Sequence, residues 1–252
     1  MLCYNNRHPI LRDKRVRQAL TQAINRRAII EKLLKNKADP AFGPLNPDSW
    51  AYNPHLKRYP FNPQKSVVIL KRLGWRDTDG DGVLDKNGHP LQFSLIYEKG
   101  LIIDEEVVRE IKFNLNEIGI DVLPLPLTKS EIKRRLQVRN FDSVLLRHRF
   151  QEDAESLGRF FSSASEDNFI GYQSPTLDNY INLLKRAQGV NRKKSLLQGI
   201  QAVLARDLPA TFLCFKWNYY HLVNCREFDN FLNKGRGELN PLEQWFKRSW
   251  AK

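Results

Sequence analysis

The stretch Phe93–Leu125, FSLIYEKGLIIDEEVVREIKFNLNEIGIDVLPL, changes its hydrophobic period twice, and the fold class follows from that change. Phe93 to Tyr97 alternates, as a strand does when successive side chains point to opposite faces. From Asp104 to Ile118 the apolar residues Val107, Val108, Ile111, Leu115 and Ile118 fall on one helical face, and Gly119 supplies a stop. Ile120 to Leu125 is extended and apolar again. A strand, helix, strand order is most simply a right-handed crossover between parallel strands, so the chain is expected to be α/β with these two strands adjacent.

Upstream, Asp13–Asn25 (DKRVRQALTQAIN) places Val16, Leu20, Ala23 and Ile24 at helical spacing. Asn25 stands where it would cap a second helix carrying Ile29, Ile30, Leu33 and Leu34. Pro40, Pro44, Pro47, Pro54, Pro60 and Pro63 are then interleaved with Trp50, Tyr52 and Tyr59, which predicts a long irregular loop with a functional or packing role. Ser66 to Leu73 reads as a short helix ended by Gly74. Downstream, Glu131–Val138, Thr176–Ala187 and Asn191–Ala205 read as helices, and Ser143–Leu146 and Thr211–Phe215 as buried strands. There is no internal repeat and no low-complexity tract.

Taken in order, Asp13–Asn25, Gly43-Pro44, Ala51-Tyr52 and Leu73–Asp85 (LGWRDTDGDGVLD) resemble the extracytoplasmic solute-binding proteins of peptide, dipeptide and nickel ABC importers, solute-binding family 5. The resemblance implies a periplasmic-binding-protein-like lobe of type II, a mixed sheet flanked by helices, with the amino-terminal lobe missing. Residues 1–12 would be a crossing segment, 13–208 the second, ligand-binding lobe, and 209–252 a return crossing and tail that packs on the missing lobe. It further implies a non-enzymatic protein that closes two lobes around a peptide or other small solute and delivers it to an ABC permease and ATPase. The parent protein would be periplasmic or otherwise extracytoplasmic, would need no cofactor, and would complete its cleft with the first lobe or with a chain supplying it.

In that family the strand after Phe141-Asp142 leads into the cleft, often through Gly-Trp, with an acidic residue a few positions on. Here Arg147 and His148 take the Gly-Trp positions, and an ungapped reading puts Gln151 at the carboxylate position with Glu152 and Asp153 just beyond. An Asp-Pro form of the motif would instead match Asp153-Ala154. Trp50 and Tyr52 are ligand candidates because aromatic side chains on a loop cover a cleft well. A cationic wall at Arg147 would favour anionic ligand groups. Asn168, Gly171, Tyr172 and Asp178 also fit the family pattern and read as structural, with Asp178 capping a helix from Leu177.

Composition bounds the remaining readings. The chain has 252 residues, 41% hydrophobic and 11% aromatic, which suffices for a packed core. Its net charge of +13 is uneven: Arg7 to Lys37 holds ten Lys/Arg against Asp13 and Glu31, and Lys129 to Arg149 seven against Glu131 and Asp142. An alternative function is therefore a basic interaction protein using the lobe fold for an anionic partner such as nucleic acid, although no nucleic-acid module is recognisable. No run reaches the roughly 18 apolar residues of a membrane span, and Met1-Leu-Cys-Tyr-Asn is not an export signal. Cys3, Cys214 and Cys225 have no metal-ligand spacing; buried thiols are expected, with a Cys214–Cys225 bridge as the alternative in an exported protein. No HExxH, GxSxG or dinucleotide motif is present, so neither a hydrolase nor a dinucleotide site is signalled. Asp77, Asp79, Asp81 and Gly82 match the first half of a calcium loop, but position twelve is Gly88 instead of Glu, and no metal is expected.

Overall fold

The structure is a computed structural model that describes residues 1–217 and, beyond them, four two-residue strands that pair as Phe228–Asp229 with Phe246–Lys247 and Leu232–Asn233 with Glu238–Leu239. Met1–Phe215 form one compact unit and Lys216–Lys252 a second. In chain order the first unit contains β1 (Leu2–Tyr4), α1 (Lys14–Ala23), α2 (Arg26–Ala28, continued by a π-turn over Ile29–Leu33), β2 (Ala38–Pro40), α3 (Pro63–Arg72), β3 (Asp85–Lys86), β4 (His89–Pro90), β5 (Gln92–Glu98) and α4 (Ile102–Asn116). There follow β6 (Asp121–Leu127), α5 (Lys129–Gln137), β7 (Ser143–Leu145), α6 (Ala154–Phe161), α7 (Pro175–Arg186), α8 (Val190–Asp207) and β8 (Ala210–Thr211), and the last strand, β9 (Cys214–Lys216), runs to the first residue of the second unit.

β5 and β6 pair in parallel from Gln92↔Asp121 to Glu98↔Leu127 and are joined by α4, the crossover that the period change predicts. The main sheet has five strands in the order β6-β5-β7-β1-β8; β7 is parallel to β5, whereas β1 is antiparallel to both β7 and β8. The sheet is therefore mixed. Pro124 and Pro126 are tolerated because β6 is an edge strand. Asp121 N donates to Leu91 O, so the two-residue alternation turns both proline nitrogens outward.

Alternation along the strands divides the core into two layers. Leu2, Tyr4, Phe93, Leu95 and Leu145 face the helices α1, α3 and α4, while Cys3, Ile96 and Val144 face α6, α7 and α8. The segments expected to be crossings, 1–12 and 209–252, supply two of the five strands, β1 and β8. Thr211–Phe215 is not one strand. Phe212 O is taken by the Arg26 guanidinium and Leu213 O by Ala41 N, so the chain leaves the main sheet and re-forms as β9 against β2.

Helix ends follow side-chain chemistry. Asp13, Asn25, Asn62, Asp153 and Ser174 cap α1, α2, α3, α6 and α7, and Thr128 with Glu131 forms a capping box at α5. The cap of α7 is thus Ser174 and not Asp178, whose carboxylate accepts from Ser162 Oγ and Ser163 N at the exit of α6. Asn168 is structural as expected: its amide donates to Ser162 O and Tyr172 O. Among the described residues no helix is long and apolar enough to cross a membrane. Cys225 lies outside the described residues, and with it the Cys214–Cys225 pairing.

Two buried arginines tie the first helices to the end of the unit. Arg17, 4% exposed, donates to Leu11 O, Arg12 O, Asp207 O and Leu208 O at 2.7–2.9 Å. Arg26 donates to Phe212 O at 2.7 Å and to Tyr59 O at 3.2 Å, and lies over the Phe42 ring. Burial lowers the pKa of Arg26 to about 10, so it still carries its charge at neutral pH. Between them Tyr4, Thr211 and Thr21 form a buried hydroxyl chain with both contacts at 2.6 Å.

Hydrogen bonds to a charged group contribute about 1.5–3 kcal/mol each, and a lysine at position 17 cannot span four carbonyls. Arg17→Lys is expected to lower unfolding free energy by about 2–4 kcal/mol in urea titrations; a change under about 0.5 kcal/mol would show that the clamp is not stabilising. Burial raises the Cys3 thiol to about 12, so Cys3 stays protonated at pH values near 8. Iodoacetamide should leave Cys3 unmodified in the native protein, and peptide mapping that finds it alkylated as fast as in urea would contradict this packing.

Candidate functional site

Parallel strands direct their carboxyl ends to one edge of a sheet, and in open α/β sheets ligands bind there. Here β5 exits through Lys99-Gly100-Leu101 into α4, β6 through Thr128 into α5, and β7 through Leu146 into the segment that holds Arg147 and His148. Gly100 has φ +85°, a turn conformation that a side chain disfavours. The antiparallel β1 starts at this edge, where the Met1 amino group donates to Leu146 O at 2.7 Å, and β8 ends here, leading to Phe212 and Leu213.

Arg147 occupies the middle of the edge as half of an ion pair. Its Nε and Nη2 donate to Asp104 Oδ1 at 3.1 and 2.7 Å, across 43 residues of sequence. The Asp104 side chain is 10% exposed and that of Arg147 62%. The carboxylate is therefore built into the first turn of α4, where the helix dipole also favours it, and the guanidinium lies over it toward solvent. Nη1 makes no hydrogen bond with another described residue. Arg147 is thus a compensated cation with one free face. Asp104 was legible in sequence only as a helix start, and two exposed neighbours, Ile102 and Ile103, precede it at the same edge.

His148 packs on Phe150 and Phe160, with ring centroids 4.4 and 5.1 Å away. Burial in this aromatic cluster lowers its pKa, so the imidazole is neutral at pH 7. Gln151 is exposed, and its backbone N–H donates to Ser156 Oγ at 3.0 Å. Asp153 accepts from Ser156 N at 2.6 Å as the cap of α6, a helix that the sequence pattern did not reveal.

Trp50, 42% exposed, and the half-buried Tyr52 stand on the proline-rich loop, which is irregular as expected. The loop is pinned to α8: Gln201 Nε2 donates to Ala51 O, Gln198 Nε2 donates to Tyr52 O, and Asn53 Nδ2 donates to Gln198 O. Ala51, Phe150 and Phe160 belong to one core cluster, so the loop and the segment from Arg147 to Asp153 are rooted in the same layer. Of the sequence candidates, Arg147 and His148 lie on the strand exit, Gln151 and Asp153 at the entry of α6, and Trp50 and Tyr52 on the pinned loop.

The calcium-like stretch precedes a tight hairpin whose corner is Asn87-Gly88, both at positive φ. Carboxylate oxygens of Asp77, Asp79 and Asp81 lie within 4.8 Å of one another, and all three residues are exposed. They also accept local backbone N–H groups: Asp77 from Gly80 and Gly82, Asp79 from Asp81, Asp81 from Val83. These bonds form a turn without needing an ion.

Comparison with known proteins gives the fold its lineage. Residues 1–168 match the family described as bacterial extracellular solute-binding proteins, family 5 Middle. The oligopeptide-binding protein AppA of Bacillus subtilis is 27% identical over 252 residues, covering 96% of this chain and 46% of that protein. The nickel-binding periplasmic protein of Escherichia coli is 28% identical over 226 residues, covering 84% and 42%. The solved structure of AppA in complex with a nonapeptide superposes with a TM-score of 0.83 at 23% identity, over 98% of this chain and 50% of that one. NikZ from Campylobacter jejuni, in complex with Ni(L-His), superposes with a TM-score of 0.76 at 22% identity, over 85% and 44%. The chain thus spans about half the length of the relatives it matches, and it has their type II periplasmic-binding-protein fold. The matched family is one of extracellular solute-binding proteins. A mixed five-stranded sheet whose exits converge on one edge, together with a family match over two thirds of its length, places this chain among the bacterial extracellular solute-binding proteins of family 5.

Proposed function

We propose that residues 13–208 form the second lobe of a peptide-type substrate-binding protein, with the carboxyl edge of the sheet as its half of the ligand cleft. The observation that carries this reading is the convergence at that edge of three strand exits, the start of β1, the end of β8 and the Arg147–Asp104 pair. Residues 1–12 and 209–252 are then the crossings to a first lobe, with β1 and β8 as their roots in the sheet. Closure of two lobes around the ligand would exclude water from the pair and strengthen every polar contact in it. The ligand is a peptide or related small solute, the parent protein works outside the cytoplasm, and its downstream partners are an ABC permease and, through the permease, an ATPase. The rival reading, a basic protein for an anionic partner such as nucleic acid, rests on net charge alone.

Each candidate residue takes a distinct role. Trp50 and Tyr52 cover the ligand with apolar surface, and the neutral His148 offers a ring face or a nitrogen at the wall. Arg147 presents Nη1 to an acidic ligand group while Asp104 holds the rest of the guanidinium. Gln151 offers an amide to ligand backbone, and Asp153 acts chiefly by fixing the entry of α6.

Competitive binding of acidic against neutral peptides should be measured on the chain completed by a first lobe, at low and high salt. Because Asp104 already neutralises Arg147, acidic peptides should be favoured by only about two- to fivefold at low salt, and Arg147→Ala should remove the preference. Equal preference in both proteins at both salts would place Arg147 outside the site. Trp50→Ala should weaken all peptides by about tenfold, regardless of charge. Calorimetric titration with calcium should give an affinity weaker than micromolar, since the Asp77 turn has no bidentate closing ligand; micromolar binding would overturn that assignment.

A further inference from the structure

The turn between α7 and α8 carries Lys185, Arg186, Arg192, Lys193 and Lys194, and the sequence has no acidic residue between Asp178 and Asp207. Every residue from Lys185 to Ser195 except Ala187 is exposed. None of the five cations has an ion-pair partner among the described residues. Elsewhere the basic surface is partly neutralised, as at Arg15–Asp13, Arg27–Glu31, Arg109–Glu106 and Arg159–Asp167.

Internal electrostatics do not account for this arrangement. Lys185 and Arg186 end α7, where cations suit the helix dipole, but Arg192 and Lys193 open α8, where they oppose it. The α8 amino terminus has Gly189 at its cap position, no side-chain cap bond and no acidic residue in its first turn. Like charges on adjacent helix ends repel, and nothing in the described structure offsets that repulsion. An anionic surface outside the protein would do so.

We propose that the α7–α8 turn is a docking surface for a membrane containing anionic phospholipids. Charge complementarity alone would also admit an acidic protein, but the shape favours lipid. The turn joins two helices and is exposed at every residue but Ala187, and an exposed turn of this kind meets a plane of phosphates without needing a matching pocket. Val190, 67% exposed, sits between the two groups of cations and can enter the headgroup layer while the lysines and arginines stay at phosphate depth. The carboxyl end of α8 leads into β8, and Gln198 and Gln201 in its middle hold the loop that carries Trp50, which leaves the amino-terminal turn outside these contacts.

The test is co-sedimentation of the chain with vesicles of phosphatidylcholine alone or with about 30% phosphatidylglycerol, at about 0.05 M and 0.5 M salt. Wild type should partition onto the anionic vesicles at low salt at least about tenfold more than onto neutral ones, and lose this preference at high salt. Removal of the five charges (K185Q/R186Q/R192Q/K193Q/K194Q) should abolish it, as should the smaller change K193E/K194E. A control on α5, K129Q/K133Q/R134Q/R135Q, should stay within about twofold of wild type, and circular dichroism should show all variants folded. Equal loss in the α5 control would mean that net charge and not this turn governs binding, and would overturn the proposal. So would absence of vesicle binding by wild type, or binding to polyglutamate without binding to anionic vesicles, which would point to an acidic protein partner. Peptide binding in the cleft plays no part in these readouts.

Discussion

Arg17 and Arg26 hold the ends of this unit together without any carboxylate. Both side chains lie beneath the surface and spend their donors on main-chain carbonyls, Arg17 on those of Asp207 and Leu208 and Arg26 on that of Phe212. A guanidinium suits this task because its donors are fixed in a plane and it is more weakly hydrated than an ammonium group. The carbonyls at the end of α8 have no partner within their own helix, and those after β8 have left the sheet; a donor from outside satisfies both. The contact joins residues separated by 191 and 186 positions in sequence. Without it β8 would lose its anchor beside β1, and β9 would lose the bend that lets it reach β2.

The same economy of polar groups shapes the candidate cleft. A proline-rich loop of this length would ordinarily be mobile, yet two glutamines of α8 fasten its carbonyls and amides, and the guanidiniums of Arg26 and Arg58 both lie over the Phe42 ring. Trp50 and Tyr52 are therefore presented on a held loop, which lowers the entropy lost when they cover a ligand. At the sheet edge Asp104 is nearly buried while Arg147 is largely open, so the pair is anchored by its acidic member. An exposed pair of this kind adds little stability by itself. Its value is orientation, since it directs one face of the guanidinium outward.

Charge in this protein thus has three separate uses. Buried arginines act as hydrogen-bond donors to backbone, Arg147 is balanced where the strands end, and the cations of the α7–α8 turn are left without carboxylates. Net charge does not distinguish these uses, because each depends on what surrounds the group.

The α/β class, the parallel β5–β6 pair, the capping role of Asn25 and the irregular loop were legible in the sequence, because each depends on periodicity or on chemistry within a few residues. The family resemblance was legible for the same reason, being carried by short contiguous motifs. Helix α6 was not, since its eight residues offer barely two turns of pattern and Asp153, its cap, reads in sequence as a ligand residue. Thr211–Phe215 reads as one apolar strand, and only distant donors, Arg26 and the Ala41 N–H, divide it. Asp104 and Arg147 lie 43 positions apart on different strand exits, so their pairing is a property of the sheet order β6-β5-β7 and not of either segment. Local patterns specify local structure; the partner of a long polar side chain is decided by which chain segments the tertiary fold brings within a few ångströms.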